Sequence, residues 1–208
     1  MSSVRPFHLA LLAAVLAVLG WSGVAPHDRL TWWLEVSPTL AGLAVLAWRW
    51  PRFRLTDLVL TLIAVHMILL CVGGKYTYAL VPVGDWVKDA LHLARNHYDR
   101  LGHFAQGFVP AMIARELLLR CGVLAKRSWL AFLIVSICLA ISATYELVEW
   151  LVALTSDEAA EAFLGTQGDP WDTQADMAMA FFGAVSALLT LSGWHDAQLA
   201  KVKREIRV

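Results

Sequence analysis

Apolar residues in this chain come in long uninterrupted blocks, and no other feature limits its possible folds so sharply. A hydrocarbon core about 30 Å thick needs ~20 mostly apolar residues per helical crossing, with a range of about 17 to 25. Six stretches satisfy this: Phe7–Val24, Thr31–Trp48, Thr56–Val72, Leu101–Leu119, Trp129–Leu151 and Thr173–Gly193. The apolar fraction is 59% and the charged fraction 16%, which leaves too little polar surface for an ordinary soluble domain. The sequence therefore predicts an all-α polytopic membrane bundle of six transmembrane helices, with residues 1–208 forming a single integral membrane domain. Arg5 and the small residues after the first block imitate a signal peptide. Pro26 sits badly for cleavage and a second block follows at once, so the first block reads as a retained anchor.

Orientation follows from Lys and Arg in the short loops. Of the 17 such residues, eleven fall on one side: Arg5, the Arg49–Arg54 group, Arg120, Lys126, Arg127 and the four of the C-terminal tail. The other side holds Arg29, Lys75, Lys88, Arg95 and Arg100, so both termini are expected in the cytoplasm. Tryptophan prefers the headgroup level. Trp21, Trp32, Trp33, Trp150 and Trp171 would mark the outer interface, and Trp48, Trp50, Trp129 and Trp194 the inner one. The basic tail has no interleaved aromatics to stack on bases, so the partner is the lipid bilayer and not nucleic acid. Cys71, Cys121 and Cys138 lack any paired spacing and read as small packing residues.

Between the third and fourth spans the stretch GDWVKDALHLAR predicts a short interfacial helix in the outer loop. Trp86, Val87, Ala90, Leu91 and Ala94 share its apolar face, with Lys88, Asp89, His92 and Arg95 toward the other and Asp85 as its cap.

Ionisable residues gather at the outer ends of the spans. YDRLGHFAQGF puts Asp99, His103 and Gln106 on one face of the fourth helix. YELVEW puts Glu146 and Glu149 one turn apart at the end of the fifth. QGDPWDTQADM opens the sixth, with Asp169 before it, Asp172 as its expected N-cap and Asp176 one turn inside; His66 lies at the outer end of the third. An ionisable group buried in a bilayer costs ~2.5–3.5 kcal/mol, so such groups face a polar interior and have partners. Asp99, Glu146, Glu149, Asp172 and Asp176 are expected to meet a single permanent cation, Arg100. Repulsion must then keep some of them protonated, or a bound cation must compensate. Arg115 and Glu116, near the inner end of the fourth span, point apart as sequence neighbours and are assigned a structural, snorkelling role.

The stretches RLTWWLEVSP, GGKYTYALVPVG, RNHYDRLGHFAQGFVPAMIARE, AISATYELVEW and FLGTQGDPWDTQADM resemble the DUF2238 family of bacterial inner-membrane proteins over almost the whole chain. That resemblance implies a multi-pass protein of the bacterial inner (cytoplasmic) membrane and brings no activity with it. A looser resemblance is to VanZ-like membrane proteins, whose pattern Asp99-Arg100, His103-Phe104, Glu146, Asp172, Asp176 and Gly183 would fill.

Three functions follow from the residues. The first is an outward-facing acidic and histidine pocket that binds or processes a lipid or lipid-linked headgroup. His103, Glu146 and Asp176 would do the chemistry, and Arg100, Asp99, Gln106, Glu149 and Asp169 would hold substrate. Oxygen-rich ligation by Glu146, Glu149, Asp172 and Asp176 with His103 suits a divalent metal such as Mg²⁺, Mn²⁺ or Ca²⁺. The second is an ion- or proton-coupled transporter, against which the inner halves of the spans offer only Arg115, Glu116 and scattered hydroxyls such as Ser136. The third is a non-catalytic envelope assembly protein, sensitive at loop positions Asp157, Glu158 and Glu161.

Overall fold

Local signals in the sequence start and stop each helix. Pro6 occupies the first turn of α1 (Pro6–Gly23), where its missing N–H costs nothing. Asp28 caps α2 (Arg29–Arg49) by accepting the Thr31 N–H at 2.6 Å. α3 (Asp57–Tyr76) ends where Thr77 turns left-handed, at φ 57°. α4 (Pro82–Ala90) is a short helix with no buried residue. α5 (Tyr98–Arg120) stops before Gly122, whose φ of 65° suits a residue without Cβ. A 3-10 turn (Arg127–Trp129) leads into α6 (Leu130–Ala153), and α7 (Asp172–Ile206) completes the chain. The computed structural model describes residues 4–154 and 166–206, with side chains through 202. Asp157, Glu158 and Glu161 lie outside the described residues. Among the described residues there is no strand.

Five of these helices are long and apolar enough to cross a membrane: α1, α2, α3, α6 with its leading turn, and α7. The remaining expected span, Leu101–Leu119, lies inside α5, whose 23 residues reach about 34 Å. α5 is long enough, but His103, Gln106, Arg115 and Glu116 together make it too polar to count as apolar. Its position accounts for this. α5 is packed between α3, α6 and α7, while α1 and α2 pack on α3. Met112, Val59, Ile134, Cys138, Ala184 and Ala187 form the core around it. A helix covered on several sides does not need an apolar circumference.

Pro38 interrupts the α2 ladder, and the Ser37 hydroxyl donates at 2.8 Å to the Leu34 carbonyl that the proline leaves without its partner.

Several expectations need correction. α7 does not end near Gly193 but continues to Ile206, because its polar tail is bonded to its neighbours: Gln198 accepts the Leu58 N–H at 3.0 Å. α4 starts at Pro82 and ends at Ala90, so Asp85 is not its cap; it pairs with Lys88 at 3.0 Å. The chain then leaves the helix, and Arg95 is carried away from the polar face it was expected to share. Trp32 is buried, its indole N–H donating to Ser22 Oγ at 3.0 Å, so it fastens α1 to α2 instead of marking an interface. Cys121 is exposed; Cys71 and Cys138 are buried as expected.

Candidate functional site

The starts of α5 and α7 lie side by side because small residues let their backbones touch. A Cβ at Gly107 would fall 1.8 Å from Ala180 O, and one at Gly183 would fall 2.0 Å from Phe104 O. Ala111 and Ala114 on α5, with Ala180, Ala184 and Ala187 on α7, continue this buried small-residue seam. The two helices run in the same direction. Arg95, just before α5, meets Asp172 at the start of α7, and Arg115 meets His195 near their far ends.

The seam brings Asp176 against Asp99 and His103. One ligand atom from each of these three lies within 4.8 Å of the others, and all three residues are buried. Glu146 of α6 joins from the other side, its Oε1 3.6 Å from His103 Nδ1; Asp99 Oδ1 is 3.6 Å from His103 Nε2. Both separations are too long for hydrogen bonds. Gln106 Oε1 lies 3.3 Å from His103 Nδ1. Asp176 Oδ1 and Glu146 Oε1 have no hydrogen-bond partner among the described residues, although Asp176 is 2% exposed and Glu146 8%. A buried polar atom left unmatched costs ~1–3 kcal/mol, more if charged, so two of them facing one histidine need an explanation.

The rim differs from the sequence reading. Arg95 is buried and pairs closely with Asp172 Oδ1, with Asp169 Oδ2 3.5 Å away. Arg100 donates to Asp169 Oδ2 at 2.5 Å and lies 3.9 Å from Asp172. Two arginines, not one, therefore face the carboxylates. Asp172 is not an N-cap: it is the first helical residue, Ala175 N–H bonds Trp171 O at 2.9 Å, and the Asp172 carboxylate is turned to Arg95. Gln167 and Asn96 exchange two hydrogen bonds, of 3.0 and 2.8 Å, tying the loop before α7 to the loop before α5. The Trp171 N–H, and after it the Arg100 guanidinium, hold the Asp169 carboxyl below the usual carboxylate range. Burial, with the Arg100 and Arg95 charges, pushes His97 below its ordinary value and favours its neutral form.

A cavity of about 620 Å³ opens against this cluster. Of the predicted residues it touches Asp99, His103, Gln106, Glu149 and also His66; Asp176 and Glu146 stand behind His103 and do not line it. Sequence reasoning passed over two others. Glu35 of α2 is buried at the cavity and accepts from Tyr145 OH at 3.0 Å. A carboxylate within an apolar span is the signal that would have found Glu35. Arg95 offered no such signal, because a loop's path is not periodic.

At the far end of α5 lies a second polar cluster, where snorkelling side chains were expected. Glu116 is fully buried and accepts from Thr56 N at 3.0 Å, Thr56 Oγ1 at 2.7 Å and Arg120 at 2.6 Å, with His195 Nε2 at 3.1 Å. Arg115 is buried, reaching His195 Nδ1 at 3.0 Å and Asp196 at 2.8 Å. An arginine only donates, so His195 Nδ1 accepts and its Nε2–H donates to Glu116: the geometry fixes one neutral tautomer.

An all-helical chain with several membrane-crossing helices around a buried, charged central helix is a multi-pass membrane protein. It belongs to the family described as "Predicted membrane protein (DUF2238)", whose pattern matches residues 7–197. It is 47% identical over 200 residues to "Inner membrane protein YjdF" of Escherichia coli (strain K12), a match covering 96% of this chain and 96% of that one. No solved structure matches the chain. The chain is accordingly a bacterial inner-membrane protein, and its chemistry has to be argued from the site.

Proposed function

We propose that the chain binds a divalent cation in an outward-facing pocket and uses it to hold the phosphate headgroup of a lipid or lipid-linked substrate. In this reading α5 is a sixth span, both termini are cytoplasmic, and α4 lies on the outer leaflet with Trp86 and Val87, both exposed, in the headgroups. The observation that carries it is the Asp99–His103–Asp176 cluster, together with the unmatched oxygens of Asp176 and Glu146. Two carboxylates and one imidazole, with Glu146 close by on the Nδ1 side of His103, are a donor set suited to Mg²⁺, Mn²⁺ or Ca²⁺. A divalent charge there would give the Asp176 oxygen a partner and relieve the repulsion among the neighbouring carboxylates, Glu146 included. Glu149 and Gln106 line the adjacent cavity as substrate contacts, and Arg100, the more exposed arginine of the rim, is placed to meet a phosphate, with Asp169 orienting its guanidinium or accepting a hydroxyl of the headgroup. If the headgroup is cleaved, Glu146, beside the Nδ1 side of His103, is the proton carrier, and His103 stays with the cation.

The test is metal content and cation-dependent thermal stability of the purified protein, parent against Asp176→Asn. A bound cation stabilises by about 2.7 kcal/mol at 100 times its Kd. The parent is expected to gain stability with Mn²⁺ and Asp176→Asn to lose that gain. A parent without metal and without cation-dependent stabilisation overturns the proposal.

A further inference from the structure

The cavity does not stop at the polar cluster. On α6 it is lined by Val148, Thr144, Ile141 and Ile137, spaced by three or four residues and so aligned in one stripe. From Glu149 at its polar end to Ile137 the stripe spans twelve residues, about 18 Å at 1.5 Å each. That is more than half of a hydrocarbon core of about 30 Å. Across from it stands Pro38 of α2. α2 packs on α3, and α6 packs on α5 and α7, so the two walls are held by different neighbours. Tyr145 OH bridges them at the polar end through Glu35 at 3.0 Å. Val148, Ile141 and Ile137 are 41%, 40% and 36% exposed, so the slot is open sideways along its length.

We infer that this slot holds one acyl chain of an outer-leaflet glycerophospholipid whose headgroup phosphate sits at the Asp99–His103–Asp176 cluster, and that the lipid enters laterally between α2 and α6. The inference rests on the headgroup reading above and adds the lipid class and its route. The α6 wall is apolar where a chain would lie apart from Thr144, whose hydroxyl is turned back to Ala140 O; the carboxylates Glu35, Asp99 and Glu149 gather at the end where a headgroup would lie, and His66 lines the cavity halfway along α3. The volume of about 620 Å³ accommodates about twenty groups of roughly 30 Å³, enough for one chain and not for two. A side-open slot lets the second chain of a diacyl lipid stay in the bilayer. The Glu35–Tyr145 hydrogen bond crosses the entrance at headgroup depth, where it must part or tilt for the phosphate to pass.

The test is photolabelling of the full chain in nanodiscs of phosphatidylethanolamine and phosphatidylglycerol doped with a phosphatidylglycerol bearing a diazirine on one acyl tail. Labelled peptides are mapped by mass spectrometry. Label is expected to concentrate on the Ile137–Val148 stripe and the α2 segment around Pro38, several-fold above the lipid-facing controls Phe132, Phe182 and Leu189, which are all exposed. Ala140→Trp fills the slot and should abolish the excess there while leaving label at the controls; Thr144→Phe is the second blocker should the first not fold. Even labelling of the surface, stripe label unchanged in a folded blocker, or competition by a prenyl phosphate but not by phosphatidylglycerol overturns the inference. Mn²⁺ stabilisation is read on the same samples. Slot labelling without a cation response sinks the cation reading alone; a cation response without slot labelling sinks this one alone.

Discussion

Adding a single methyl group at Gly107 separates the seam from every other part of the fold. The new Cβ would sit 1.8 Å from Ala180 O, whereas ordinary contact begins near 3.4 Å, so α5 and α7 must part by about 1.6 Å there. The obstacle is a backbone carbonyl, which no rotamer change can move. Overpacking a tight interface costs about 1–3 kcal/mol, and this geometry belongs at the upper end. Against that stands the helix propensity gained on replacing glycine by alanine, about 1 kcal/mol. Gly107→Ala is therefore expected to lose about 2 kcal/mol net and to spread the cluster whose ligand atoms now lie within 4.8 Å. Gly193→Ala is the control: nothing lies within 4 Å of where its Cβ would stand, so it should gain slightly from propensity alone. Gly42→Ala should fall between, since its obstacle is Met67 Cε, the flexible end of a side chain. Tryptophan-fluorescence melts in nanodiscs, with and without Mn²⁺, read both stability and the site. A Gly107→Ala protein that melts with Gly193→Ala and keeps its cation response would refute the seam as what positions Asp176.

Other consequences can be tested on the same preparations. Asp172→Asn leaves Arg95 buried beside a neutral amide; breaking a buried pair costs about 3–5 kcal/mol, and part of the loss should return in the double variant with Arg95→Met in a melting cycle. Asp169 has a depressed pKa, so its contribution is complete above the ordinary Asp value of 3.8 and is lost as pH falls through the lower folded value. Stability measured against acid pH should thus show a limb that Asp169→Asn removes, and an unchanged limb would dissociate the rim clasp from stability. Glu116→Gln breaks the far cluster at a similar cost of about 3–5 kcal/mol. It lies thirteen residues along α5 from His103, about 20 Å, so the cation response should survive in the folded fraction.

The sequence made the carboxylates legible because a charge within an apolar helix stands out wherever the fold places it. Asp176, one turn into α7, cannot be dismissed as a cap, and the structure sets it against Asp99 and His103. Asp172 misled for the opposite reason: a helix-start aspartate has a local role available, and only the path of residues 91–97 reveals that Arg95 claims it. The end of α7 was lost because hydropathy measures lipid contact, whereas its polar tail is held by Gln198 and His195. Glu116 was legible as unusual but not as buried: Arg120 is only one turn further along α5, but Thr56 and His195 come from distant parts of the sequence. α5 carries the charges of both clusters, and its central position is what permits them.

Two polar clusters at opposite ends of α5 invite a transport reading, and the layer between them argues against it. From Phe104 to Ala114 on α5 the one polar side chain is Gln106, next to His103. Val109, Ala111, Met112, Ile134, Cys138 and Ala184 close the middle, all buried. Three hydroxyls along α6 and α7 are turned back on their own helices, Thr144 to Ala140 O at 2.7 Å, Thr190 to Ser186 O at 2.7 Å and Ser192 to Leu188 O at 2.6 Å, while the buried Ser142 hydroxyl of α6 stands alone among the described residues. A charge crossing the layer would travel about 20 Å past isolated polar groups such as the Ser142 hydroxyl and His66, which among the described residues form no continuous chain of donors and acceptors. The far cluster is itself committed, with Glu116 held by the Thr56 amide and hydroxyl, Arg120 and His195, and His195 locked as one tautomer. The parent in proteoliposomes with a trapped pH dye is therefore expected to pass neither protons nor cations above the leak of empty vesicles. A flux abolished by Glu146→Gln would overturn the one-sided pocket. The far cluster, for its part, ties α3, α5 and α7 together through Thr56, Glu116, Arg115 and His195.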